Sequence, residues 1–157
     1  MKRFLLIFVF LLTYFLSFSQ NYILVNYNIS SNKKRMFIII NNKIVNKFMV
    51  CSGKTDINNK VIFSNLVDSN CSSKGKIKIG NSYYGTYGKA YKLHGLEKTN
   101  SNIFKRFVVL HSHSCVPQNE TSYYICNSMG CLTVNPKDFE TIENYIKKYK
   151  IKTILVQ

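Results

Sequence analysis

Two runs rich in apolar residues, Met36–Ile40 and Lys43–Cys51, are separated by only Asn41 and Asn42. Two residues join antiparallel strands only through a tight turn whose central positions take positive φ, and asparagine tolerates that conformation better than most residues carrying a Cβ. The spacing therefore predicts a β-hairpin. Further strands are expected at Ile23–Tyr27, Lys76–Ile79, Phe107–Leu110 and Thr153–Val156, where runs are short and apolar or alternate with charge. The run Phe107–Leu110 is unbroken and ends at His111, so a core strand would deliver a polar group at its edge. Helical periodicity comes once and late. Phe139, Ile142, Ile146 and Tyr149 fall near one face of a helix spanning about Lys137–Lys148, with Asn135 able to cap it and Pro136 suited to its first position. The expectation is a mainly β fold with one late amphipathic helix.

The N-terminus reads as a signal peptide over residues 1–19: Lys2 and Arg3, an apolar run from Phe4 to Phe15, then Ser17 and Ser19 as small residues before a cut. The apolar run is shorter than the ~20 residues of a membrane span, so export with cleavage to a periplasmic or secreted protein is expected, with no stable membrane span after processing. Removing 19 of the 157 residues leaves 138, enough for one domain over residues 20–157, expected to be a monomer. The formal charge of +15 becomes +13 without Lys2 and Arg3, a surplus that favours anionic partners. The lysines are scattered, with no arginine-rich stripe or aromatic stacking pattern, so nucleic acid is not expected as a partner.

Five cysteines cannot all pair within one chain. Cys51 and Cys71 have no base adjacent in sequence. The pairing of Cys51, Cys71, Cys115 and Cys126 stays open, a Cys115–Cys126 bond being one arrangement. Chemistry concentrates in Val108-Val109-Leu110-His111-Ser112 and in Asn127-Ser128-Met129-Gly130-Cys131-Leu132. Acyl transfer by cysteine requires a nucleophilic sulfur, an imidazole to take and return its proton, and N–H donors for the oxyanion. Gly130 permits a tight turn beside the sulfur, and Ser128 offers a short hydroxyl to fix that turn or meet a substrate.

In these residues the chain resembles the L,D-transpeptidase catalytic domain family (YkuD-like): His111-Ser112 at a strand end precedes Ser128-Met129-Gly130-Cys131 in the family's order and spacing. Phe63-Ser64-Asn65, Ser72-Ser73-Lys74-Gly75, Tyr84-Gly85-Thr86-Tyr87-Gly88, Leu93-His94-Gly95-Leu96-Glu97, Asn102 and Arg106 extend the resemblance to a Bacteroidetes-type branch, over roughly Arg35 to Val156. The resemblance implies a mainly β sandwich or barrel acting on peptidoglycan stem peptides without metal or other cofactor. Cys131 would be the nucleophile and His111 the general base and later acid. Ser112 would orient the imidazole through its carbonyl, and N–H groups around Gly130 and Cys131 would bind the oxyanion. The product would be a 3→3 crosslink or a stem trimmed of its terminal D-alanine, as by an L,D-carboxypeptidase. Leu132-Thr133 stands where many members carry Arg after the Cys, so Arg106 or Lys137 would take that Arg's place as a cation near an anionic stem; His94 and Met129 are further expected substrate contacts, Met129 replacing a common His or Trp.

Three other readings compete. His111, His113 and Cys115 alternate as if on one strand face and, with Cys126 or Cys131, would suit a metal. A papain-like peptidase performs the same acyl chemistry, but its Cys precedes its His and opens a helix. A secreted, non-catalytic module could hold wall polymer through its positive charge.

Overall fold

The computed structural model describes residues 21–157, and the expected signal peptide, residues 1–19, lies outside the described residues. Among the described residues the chain runs β1 (Tyr22–Val25), β2 (Met36–Ile40), β3 (Lys43–Phe48), β4 (Gly75–Gly85), β5 (Gly88–Gly95), β6 (Val109–Ser112), β7 (Leu132–Val134), α1 (Pro136–Lys148) and β8 (Thr153–Val156). The strands form one mixed sheet in the order β3-β2-β1-β8-β4-β5-β6-β7. The pairs β1/β8 and β6/β7 are parallel and the other neighbours antiparallel. The fold is mainly β, as the sequence predicts.

The β2–β3 hairpin turns through Asn41 (φ 50°) and Asn42 (φ 61°), the positive-φ pair the spacing requires. Its second strand stops at Phe48 rather than Cys51, because the backbone there changes partner: Cys51 N–H donates to Thr133 O at 2.9 Å, across at β7. α1 begins as expected, with the Asn135 side chain accepting from Lys137 N–H at 3.0 Å and Pro136 in the first turn. Its face of Phe139, Ile142 and Ile146 is buried with Ile23, Ile38, Ile77, Leu93, Leu110 and Ile154 in the main core. A smaller cluster of Met49, Cys51, Val116 and Ile125 lies apart from it.

The strand expected over Ile23–Tyr27 runs over Tyr22–Val25 instead, two further strand expectations need correction, and two strands had no expectation at all. Lys76–Ile79 is only the start of β4, whose remainder is mostly exposed; β5 and the three-residue β7 were not expected at all. The strand that carries His111 is Val109–Ser112, not Phe107–Leu110 with His111 at its edge. Phe107 closes a turn at φ 54° with its side chain 86% exposed, so the extended segment cannot begin until after it.

Candidate active site

The register of β5, β6 and β7 assembles the site. Ala90 pairs with His111 across β5/β6, and His111 pairs with Thr133 across the parallel β6/β7. Strand side chains alternate faces, so Cys131 and Thr133 share one face at the start of β7, and Val109 and His111 share one face of β6. Val109, Ala90, His111 and Cys131 accordingly line a common hollow of about 220 Å³.

His111 is fixed at both nitrogens. Nδ1 lies 3.0 Å from Ser112 O, and Nε2 lies 3.0 Å from Thr133 Oγ1. A carbonyl oxygen only accepts, so in the neutral ring Nδ1 carries the proton and Nε2 is left as the acceptor, with the Thr133 hydroxyl donating to it. Burial holds the imidazole below its ordinary pKa; the Ser112 bond opposes this fall and the neighbouring His113 adds to it. Burial also pushes the Cys131 thiol above its usual range, only partly offset by the Val109 N–H and the charge of Arg106. Base and thiol are therefore both neutral at rest near pH 7.

The turn before Cys131 is stapled by Ser128, whose hydroxyl donates to Cys131 O at 2.7 Å and accepts from Gly130 N–H at 3.2 Å. Gly130 sits at φ +101°, and a Cβ there would lie 2.5 Å from Cys71 O. That carbonyl is gripped by Arg106, whose Nη2 donates to it at 2.6 Å while Nη1 donates to Ser64 O and Ser73 Oγ at 2.6 and 2.8 Å. The turn thus packs directly on backbone that the guanidinium holds in place.

A second hollow, of about 350 Å³, is lined by Cys51, His113, Cys115, Asn127, Ser128, Met129 and Thr133. Tyr87, His111 and Cys131 line both hollows. Tyr87 comes from the β4–β5 turn, where Gly85 pairs with Gly88; its ring stacks on His111 at 5.4 Å and meets His113 edge-on at 5.6 Å.

The L,D-transpeptidase catalytic domain matches residues 16–154 of this sequence. The chain belongs to that family. Solved L,D-transpeptidase structures share its fold at low identity. The carbamoyl enzyme of Ldtfm with avibactam is 16% identical at a TM-score of 0.55, over 88% of this chain and 49% of that one. An L,D-transpeptidase from Mycobacterium smegmatis is 12% identical at 0.51, over 88% and 58%. LdtMt1 in complex with imipenem is 12% identical at 0.51, over 87% and 58%. The chain spans about half to three fifths of the length of these solved chains. No curated protein sequence matches it.

Within this L,D-transpeptidase domain the sequence-selected residues separate into groups. Cys131 and His111 line both hollows, and Ser128 and Met129 line the second, with Met129 76% exposed. Ser112 and Gly130 act through backbone, as described above. Arg106 and His94 line neither hollow: Arg106 clamps the loop beside Gly130, and His94 stacks on Phe104 at 4.8 Å. The alternation of His111, His113 and Cys115 does not form one strand face, because β6 ends at Ser112 and Cys115 is bonded to Cys126. Sequence reasoning missed two contacts of the imidazole, Thr133 and Tyr87. Tyr87 stood within a family-like word, but neither residue carried a sign of its role, because strand register and a hairpin turn bring them to His111.

Proposed function

We propose that this protein is an exported, monomeric cysteine acyltransferase of one domain that acts on peptidoglycan stem peptides. The observation that carries the reading is the placement of one thiol and one imidazole, Cys131 and His111, at the shared wall of two hollows. A transfer between two peptides needs two approaches to a single sulfur, one for the acyl donor and one for the acceptor.

The resting pair is neutral, so proton transfer accompanies attack. The Cys131 thiol gives its proton to His111 Nε2, displacing the Thr133 hydroxyl, as sulfur attacks the carbonyl that joins the L-centre of the third stem residue to the terminal D-alanine. The oxyanion is received by the Cys131 N–H and by the Gly130 N–H as it leaves Ser128 Oγ. Collapse breaks the peptide bond; His111 returns the proton to the departing D-alanine amine, leaving a thioester on Cys131. An acceptor amine then gives a 3→3 crosslink, or water gives a trimmed stem, with His111 taking the proton of either. Met129, exposed at the second hollow, contacts one of the peptides. Arg106 serves by holding Cys71 O against the Gly130 turn and by its positive field at the sulfur.

The test is D-alanine release from a tetrapeptide stem. Release by the wild type that is lost in both Cys131→Ala and His111→Ala supports the reading. Retention on sacculi with no release by folded wild type would replace it with a non-catalytic wall-binding module.

A further inference from the structure

Three sulfur atoms outside the proposed acyl transfer crowd one place. Cys115 and Cys126 form a disulfide, and the free Cys51 thiol lies with its Sγ 3.1 Å from Cys126 Sγ. The three sulfurs lie within 4.8 Å of one another. Disulfides exchange when a sulfur nucleophile attacks one of the bonded sulfurs along the S–S axis; Cys51 Sγ is already within the ~3–3.5 Å attack distance of Cys126 Sγ but lies to the side of that axis, so a side-chain rotation must bring it in line. We propose that Cys51, Cys126 and Cys115 form a thiol–disulfide exchange site in which Cys51 attacks Cys126 and expels Cys115.

The step balances without a co-reactant. The Cys51–Cys126 bond forms, the Cys115–Cys126 bond breaks, and its electron pair leaves on Cys115, which regains the proton that Cys51 gives up. Cys126 stays bonded throughout and only its partner changes. The architecture holds attacker and target together: Cys51 N–H donates to Thr133 O and its carbonyl accepts from the Tyr27 hydroxyl at 2.9 Å, while Ser128 N–H, two residues after Cys126, donates to Ser52 O at 2.7 Å. Met49, Val116 and Ile125 surround Cys51 with apolar contacts.

The exchange relocates a thiol. Cys51 is buried, whereas Cys115 is exposed, and both line the hollow that Cys131 also lines. The product therefore presents a thiol open to small disulfides and alkylating reagents, distinct from the Cys131 nucleophile. Burial pushes the Cys51 thiol up to about 12, and the Arg35 guanidinium pulls against it. The groups facing it are Arg35, Tyr27 and the Cys115–Cys126 sulfurs, with His111, His113 and Cys131 lining the same hollow. The exchange rate consequently rises about tenfold per pH unit between pH 7 and 10, following the small thiolate fraction.

The test uses the full mature chain carrying Cys131→Ala, so that tryptic fragment 107–137 contains only Cys115 and Cys126 while Cys51 lies in fragment 48–54. Protein held at pH 7 to 10 is acid-quenched, alkylated and digested without reduction. The expected result is a 48–54/107–137 linked peptide with Cys115 alkylated, accumulating about tenfold faster per pH unit; chymotryptic cleavage after Tyr124 assigns the link to Cys126. A bond confined to fragment 107–137 at every pH would overturn the proposal. In folded Cys115→Ser/Cys131→Ala protein, checked by circular dichroism, Cys51 and Cys126 should pair after mild oxidation and leave Cys71 as the one remaining thiol, and alkylation of both Cys51 and Cys126 would also overturn the proposal. Neither result bears on acyl transfer, which does not involve these three sulfurs.

Discussion

Alanine at position 130 would meet two obstacles at once. The backbone there sits at φ +101°, where a side chain costs about 1–3 kcal/mol. The new Cβ would also lie 2.5 Å from Cys71 O, inside any distance real Cβ atoms tolerate. Relief requires Cys71 O to move off Arg106 Nη2, now at 2.6 Å, and loss of a hydrogen bond to a charged donor costs about 1.5–3 kcal/mol. Together these give about 2.5–6 kcal/mol for Gly130→Ala. Urea denaturation reads this directly: with a slope of ~2 kcal/mol/M, the midpoint should fall by about 1–3 M at unchanged slope. If the turn moves instead of the carbonyl, Cys131 is displaced and D-alanine release falls at least tenfold while the midpoint falls less. A variant with a midpoint within about 0.3 M of wild type and full activity would refute the claim that the Arg106–Cys71 clamp dictates glycine here.

Other consequences follow from the same contacts. Because burial raises the Cys131 thiol, its alkylation by iodoacetamide should climb with pH to a midpoint alkaline of the ordinary ~8.5; a thiolate limb below pH 7 would show an ion pair with His111 instead. Because His111 is held below its usual value, D-alanine release should be complete at pH 7 and fall only as pH drops below the ordinary ~6.5 and the base is protonated; loss already at pH 7 would contradict this. Nitrogen-15 spectra of the neutral ring should show Nδ1 protonated and Nε2 as acceptor, and the opposite tautomer would contradict the Ser112 and Thr133 contacts. Asn135→Ala should cost about 0.5–2 kcal/mol in urea unfolding through loss of the helix cap, with no change in the alkylation profile of Cys131.

The sequence made legible whatever rests on local chemistry. Asn41-Asn42 fixed the β2–β3 hairpin, Asn135-Pro136 the helix start, and the apolar runs gave β2 and β8 with their observed limits. The missed elements lack a local signature. Beyond Ile79, β4 shifts register and carries mostly exposed residues, so it offers no apolar face to read. In β5 the neighbours Ala90 and Tyr91 are both buried, which breaks strict alternation, and β7 is too short to show any. Phe107 misled because hydrophobicity favours a core strand while its left-handed backbone places it in a turn. At the site, His111 and Cys131 stood out by motif, whereas the clamp by Arg106, the Thr133 contact and the Tyr87 stack depend on segments distant in sequence. Lys- and Asn-rich composition gave no hint of them.

As a nucleophile served by His111, Cys131 should be acylated by a β-lactam. Intact-mass spectrometry of the mature protein incubated with a carbapenem tests it most directly, because the β-lactam carbonyl acylates a competent thiol and the adduct persists. A single adduct is expected on the wild type, absent from Cys131→Ala and formed at least tenfold more slowly in His111→Ala. Folded wild-type protein that stays unmodified, or an adduct that survives Cys131→Ala, would contradict it.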